Sequence, residues 1–426
     1  MSGLNVLVVG ASIAGPTAAY WFAKAGANVT IIERFPKLRT NGQGIDIRTA
    51  GVTVMRKMPR MEAAVRAKLS QLEGLSFVRE NGTPFATLKA TGDPNQQSLV
   101  SEYEIFRGDL AQILFDLTKD NERIKYVFGE QISSMQQKDD EPVTVEFANG
   151  LRTAKYDLVV ACDGATSRTR AMALGCDIRE HMRPVNTWAA YFSVEQDLLE
   201  GSKMGHAFST IEGRFLALGP GPSGLNQVTL MAVRPRNDRD YTLPFREASK
   251  QGVGALKQYV FQYFDGAGWK ADEILKGMMK SEDFYASEWV QVKVPSVYRG
   301  RVALVGDAGY APGPTGHGTS LAIAGAYVLA GEVGRHKNDL AAGLRSYEER
   351  MRPIINDMQK IPPGIPGIMA PQTAWGIWLR NTLFIFVAWC MAFSSLFAWI
   401  SKFFASYFAS AFGSDKYGLP DYEWVA

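Results

Sequence analysis

The chain has 426 residues, 46% of them apolar and 21% charged, the composition of a globular protein with material for one or two large cores. Lys and Arg total 46 against 43 Asp and Glu, and a net charge of +3 without a long basic run speaks against nucleic acid as a partner. Cys162, Cys176 and Cys390 show no CxxC spacing and His181, His206, His317 and His336 no ligand spacing, so neither a disulfide framework nor a metal site is expected.

In chain order, residues 1–9 lack the charged and apolar regions of a secretory signal, and Val6–Val9 has strand length, so the start of the chain is expected to be structure. Leu4–Val9 reads as a strand, Gly10–Gly15 as a turn, Pro16–Ala25 as a helix and Asn28–Ile32 as a strand, which together make a βαβ unit. The turn fits GxGxxG except at Ser12. Gly10 permits the tight turn, Ser12 is small enough for backbone approach, and Gly15, after Ala14, lets the helix pack on the strand. The helix start offers free N–H groups to a pyrophosphate, and Glu33 can accept both hydroxyls of a ribose while repelling a 2′-phosphate.

Glu104–Phe106 reads as a strand turning into a helix at Arg107. Tyr156–Ala161 is a buried strand that leads into Asp163-Gly164, followed by Ser167, Arg168 and Arg170. From about 180 to 295 the pattern alternates, as in Trp188–Val194 and Gln227–Val233, and reads as a separate antiparallel sheet. Arg301–Val305 is again a buried strand; it runs into Gly306-Asp307, the Gly- and Pro-rich stretch Pro312–Gly318, and a helix over Gly318–Gly334. Two halves of one nucleotide-binding domain, 1–180 and 296–360, thus bracket a second domain, 181–295. Residues 361–426 are expected to form a Pro-rich linker, Pro362–Pro371, and a long hydrophobic C-terminal helix.

The run Asn381–Ser401 carries no charge and exceeds the roughly 18 residues of a membrane-spanning candidate. Small residues from Cys390 through Ser394 and Ala398 to Gly413 give it a stripe suited to close packing. The first reading is a helix laid across its own protein in a cytoplasmic enzyme. The second is membrane association, with contact through residues 381–412.

The Gly10–Gly15 turn, the run Tyr156–Arg170 and the run Gly300–Gly318 together resemble, in order and spacing, the motifs of the single-component FAD-dependent aromatic hydroxylases, the para-hydroxybenzoate hydroxylase-like class A flavoprotein monooxygenases. The resemblance spans about residues 3–360. Within Gly42–Arg48 it is most similar to the tetracycline-degrading monooxygenases.

This resemblance implies an α/β fold: a Rossmann-like FAD-binding domain, an inserted antiparallel-sheet substrate domain and the long C-terminal helix. It also implies FAD held by Gly10, Ser12, Ala14, Gly15, Glu33, Arg34, Gly44, Asp46, Arg48, Arg107, Asp163, Asp307, Pro314, Gly316, Gly318 and Ser320. Asp307 takes the ribityl or ribose hydroxyls, Arg107 the ribityl or phosphate groups, and Asp46 lies beside the flavin ring. Asp163, Gly164 and Arg170 are placed near the pyrophosphate and the path of a transient NADPH or NADH, with a helix cap as the other reading of Asp163. Gly309-Tyr310 stands where the family has Ala-His, and Thr319 or Ser320 stands for its Asn. The implied reaction uses NAD(P)H and O2, through a flavin C4a-hydroperoxide, to hydroxylate or epoxidise an electron-rich aromatic or polyketide-like small molecule.

Between residues 100 and 300 there is no second GxGxxG, which disfavours a dedicated nicotinamide domain; without CxxC at the flavin, disulfide reduction is removed as the reaction; and the WxWxIP signature of halogenases is missing. Substrate contacts are expected on the middle sheet from Trp188, Tyr191, Phe208 and Gln227, with Arg234 as a further candidate. His206 and Arg214 are the catalytic candidates, since a base or cation can stabilise a phenolate. Two alternatives stand beside this reading: a flavin-dependent isoprenoid or lipid reductase of the same fold, which would turn over without O2, and a flavin-binding non-enzymatic sensor.

Overall fold

The computed structural model describes residues 3–39, 42–70, 72–89, 103–138, 140–221, 224–235, 237, 240–337, 339–362, 364–392 and 417–424. A six-stranded sheet lies at the centre of the first domain, in the order Tyr298–Arg299, Val302–Leu304, Leu158–Ala161, Asn5–Val9, Asn28–Glu33, Ile124–Phe128. All neighbours are parallel except the short edge strand Tyr298–Arg299. Parallel strands are covered on both faces, which is why Val6–Val9, Leu158–Ala161 and Val302–Leu304 are unbroken apolar runs with every residue buried. The helices Ala14–Lys24 and Gly318–Arg335 pack against one another in the same core.

The second sheet has seven strands, in the order Tyr285–Val292, Met182–Val194, Asn226–Val233, Arg214–Pro220, Met204–Thr210, Gly74–Val78, Pro84–Lys89. The hairpin Gly74–Lys89 lies inside the segment 1–180 expected to belong wholly to the first domain, yet it extends this sheet through a parallel pairing with Met204–Thr210. Three helices within 181–295, Leu243–Lys250, Val253–Phe264 and Ala271–Lys280, were not foreseen. They cover one face of the sheet, where Phe245, Val260, Phe264, Ile274 and Met278 pack on Trp188, Phe192, Leu216 and Leu230.

The other face meets the C-terminal region. The expected linker is bound to the sheet: Glu212 and Gly213 donate their N–H groups to Gln372 O and Pro371 O, and Ala370 is buried. The helix Ala374–Ala392 then lies against the strands Pro84–Lys89 and Met204–Thr210, with Phe384 on Phe77 at 4.8 Å. The described part of the 381–412 segment therefore packs on its own protein, and residues 393–412 lie outside the described residues. Among the described residues no helix is long and apolar enough to cross a membrane. Residues 417–424 pack on the helices Ala14–Lys24 and Gly318–Arg335, where Trp424 meets Trp21 at 4.7 Å and Tyr422 Oη donates to Glu332 Oε1 at 2.7 Å.

Candidate active site

Ligands of open parallel sheets bind beyond the C-terminal strand ends, and here consecutive strand ends carry the motif residues in a row. Asp307 follows Val302–Leu304, Asp163 follows Leu158–Ala161, Gly10 follows Asn5–Val9, and Glu33 ends Asn28–Glu33. Residues separated by nearly 300 positions thus share one edge.

Gly10 has φ +105°, and a Cβ there would lie 2.6 Å from Cys162 O; at Gly15 it would lie 1.9 Å from Gly10 O. Only glycine lets this turn sit so close to its neighbours. The helix Ala14–Lys24 starts without a side-chain cap, leaving first-turn N–H groups directed at the cleft. Glu33 Oε2 accepts from Ala11 N–H at 2.9 Å and Oε1 from Phe35 N–H at 3.1 Å, so its carboxylate ties the glycine turn to the strand end. Arg107 Nη2 donates to Ser12 Oγ at 3.2 Å, and Arg34 and Arg39 stack on Phe35.

Asp307 is accessible from the cleft yet ringed by protein; burial pushes its carboxyl up, and the Arg107 guanidinium pulls it down. A Cβ on Gly318 would lie 3.7 Å from Asp307 Oδ1, and one on Gly316 would meet nothing within 4 Å. Pro314 and Gly316 belong to the open loop before the helix Gly318–Arg335, which also starts without a side-chain cap. Two buried atoms beside this cleft, Gln43 Oε1 and Thr315 Oγ1, have no hydrogen-bond partner among the described residues. Two uncapped helix starts, carboxylates at strand ends and orphaned polar atoms fit a dinucleotide with a pyrophosphate and sugar hydroxyls.

The loop beside this cleft holds a charged cluster. Arg48, itself buried, pairs with Asp46 at 2.9 Å and donates its backbone N–H to Ser320 Oγ at 2.9 Å. Asp46 faces Glu104 across the antiparallel pair Gly44–Asp46 with Glu104–Phe106, and a Cβ on Gly44 would lie 3.0 Å from Glu104 Oε1. Burial, then the Asp46 carboxylate, push the Glu104 carboxyl up to about 7, while Arg48 pulls it down. Sequence reasoning placed Glu104 on a strand but missed it as a site residue, because its partner Asp46 lies 58 positions away.

Asp163 and Arg170 make structural contacts beside this cleft, which Asp163 also lines. Asp163 takes its capping role: it accepts from Ser167 Oγ at 2.5 Å and from Thr169 N–H and Oγ1 at 3.1 and 2.9 Å. Arg170 is fully buried and its two terminal amino groups donate to the carbonyls of Ala308, Ala165 and Ile178, which makes it a clamp between the two Asp-bearing loops.

On the second sheet, strand alternation separates the candidates. Tyr191 and Gln227 share the face of Tyr285 and Trp289, and this face meets the first domain: Gln291 Nε2 donates to Pro312 O at 3.0 Å. Trp188 and Phe208 point the other way, into the core under the three helices. His206 and Arg214 share that orientation by register. Burial and then Lys270 push the His206 imidazole down, while Arg214 donates to the carbonyls of Ile211 and Asp265. Arg234 stacks on Tyr263 of the covering helix layer. The placement of His206 and Arg214 behind the sheet corrects their catalytic assignment.

The dinucleotide cleft adjoins an aromatic sheet face; the class of protein built this way is the FAD-dependent monooxygenases, which use NAD(P)H to reduce their flavin. The chain belongs to the FAD binding domain family, whose model matches residues 3–360. It is 31% identical to Monooxygenase CTB7 of Cercospora beticola, over 91% of this chain and 93% of that protein, and 31% identical to the FAD-dependent monooxygenase asL4 of Sarocladium schorii with the same coverage. Among solved structures it is similar to tetracycline destructase Tet(55), with a TM-score of 0.72, 28% identity and 98% of each chain covered. These relatives do not favour the reductase and sensor readings.

Proposed function

We propose that this monooxygenase inserts one oxygen atom into an electron-rich aromatic or polyketide-like small molecule, by hydroxylation or epoxidation. The observation that carries the reading is the common strand-end edge holding Glu33 and Asp307. Bound FAD supplies the reduction by NAD(P)H and the activation of O2. Around it, Glu33 would receive the ribose hydroxyls, the N–H groups at Gly10–Gly15 the pyrophosphate, and Arg107 and Asp307 the ribityl region. Asp46, Arg48 and Ser320 would flank the ring. Tyr191, Tyr285 and Trp289 would orient a flat substrate and keep water out. Named relatives that act as monooxygenases and the similarity to a tetracycline destructase support this substrate class.

The test is purification and flavin spectroscopy, then a screen of phenols, naphthols and aromatic polyketides for stimulated NADPH or NADH consumption and product mass. A yellow protein that yields products one oxygen heavier supports the reading. Turnover without O2, or failure to take up FAD, refutes it.

The outward Trp375, Trp378 and Phe386 of the last helix support membrane contact as a separate proposal for that segment. Cosedimentation with phosphatidylcholine vesicles tests it, and a protein left wholly in the supernatant refutes it.

A further inference from the structure

Arg380 belongs to the helix Ala374–Ala392 and points inward, toward the sheet. It is only 5% exposed, and its guanidinium lies between the rings of Phe77 and Phe384, at 5.8 and 5.4 Å. Nη1 donates to Ser209 Oγ at 3.1 Å and Met369 O at 2.9 Å, and Nε donates to Asn381 Oδ1 at 2.8 Å. All three acceptors are neutral. Among the described residues no carboxylate pairs with Arg380, and its Nη2 group donates to none of them.

Of the other buried cations, Arg48 has Asp46, while Arg170 and Lys257 are held by backbone carbonyls, Arg170 through both of its terminal amino groups. Arg380 differs from these in the amino group that no described residue engages. A buried charge without a counter-ion is costly, and such groups persist where a partner arrives from outside. Burial lowers the Arg380 guanidinium to about 10, so it stays a cation at neutral pH. Phe77 and Phe384 pack in the cluster that contains Tyr191, Tyr285 and Trp289, on the sheet face that meets the loop at Pro312.

We infer that Arg380 is an anion-binding residue of the substrate site: it receives a carboxylate, phenolate or enolate oxygen of the aromatic molecule, with Phe77 and Phe384 flanking that group. This rests on the proposed oxidation of an aromatic substrate, and it narrows the class to molecules that carry an acidic oxygen. A planar guanidinium with an unspent amino group suits such an oxygen better than an ammonium would.

The test uses the FAD-loaded enzyme and calorimetric titration with 1-hydroxy-2-naphthoate and its neutral isostere 1-hydroxy-2-naphthamide. The wild type is expected to bind the anion at least about tenfold more tightly, the scale of one charge-assisted hydrogen bond. Arg380→Met is expected to abolish that preference while still binding the amide, and Arg380→Lys to keep part of it. Ser209→Ala removes one anchor of the helix but not the charge, so it should keep the preference; a merely structural Arg380 would make Ser209→Ala and Arg380→Met alike. Equal affinities in the wild type, no binding of the naphthoate, or an unchanged preference in Arg380→Met overturns the inference. If FAD is bound and a neutral aromatic is oxygenated while the naphthoate is not preferred, the anion site alone fails; if FAD does not bind, the proposed function fails.

Discussion

Replacing Glu104 by glutamine isolates the energetic cost of the charged cluster beside the dinucleotide cleft. The carboxyl of Glu104 is raised from its ordinary 4.5 to about 7, first by burial and second by Asp46 across the strand pair. The folded protein therefore holds this proton more tightly than the unfolded chain does. The resulting stabilisation is complete below about pH 4.5 and disappears as the pH rises through about 7. At about 1.4 kcal/mol per pH unit, the full effect is about 3 kcal/mol. Glutamine cannot ionise and keeps the shape. Urea unfolding of wild-type and Glu104→Gln apoproteins at pH 5 and pH 8 should show the stability difference moving by about 2–3 kcal/mol in favour of the variant at the higher pH. Taking the difference cancels the titrating groups that do not interact with Glu104. A difference that stays constant between the two pH values would refute the reasoning.

Arg170→Met leaves the carbonyls of Ala308, Ala165 and Ile178 without their donor in the interior, with an expected loss of about 3 kcal/mol or more in urea unfolding; wild-type stability would show that the clamp is dispensable. Gly325→Ala would gain about 1 kcal/mol from helix propensity alone. Its Cβ, however, would fall 1.8 Å from Tyr310 Oη, which is bonded to Tyr347, so net destabilisation of about 1–3 kcal/mol is expected in a thermal melt, and a raised Tm contradicts it. Glu33→Ala removes the acceptor of two backbone N–H groups and the proposed ribose contact, so fluorescence titration of the apoprotein with FAD should show affinity at least about tenfold weaker; unchanged affinity rules out that contact.

The dinucleotide half of the site was legible because its requirements are local. A turn in which a Cβ would fall 2.6 Å from a neighbouring carbonyl oxygen demands glycine, as at Gly10, and buried parallel strands demand apolar runs. The substrate half was not legible in the same way. Along a strand the residue type says that a side chain is apolar or polar, and alternation says which residues share a face; neither says which face meets the flavin domain. Tyr191 and Trp188 differ only by an odd spacing, yet one faces Tyr285 and the other a helix layer.

Local backbone needs therefore determined the βαβ unit and the order of the motif runs from the sequence itself, while the flavin followed from the resemblance of those runs to a known family. Tertiary structure alone decided the addition of the hairpin Gly74–Lys89 to the second sheet, the meeting of Glu104 with Asp46, and the burial of Arg380 without a counter-ion. The physical reason is that each of these is a contact between segments far apart in the chain. Its energy depends on which surfaces the folded core brings face to face, and no neighbouring residue records that.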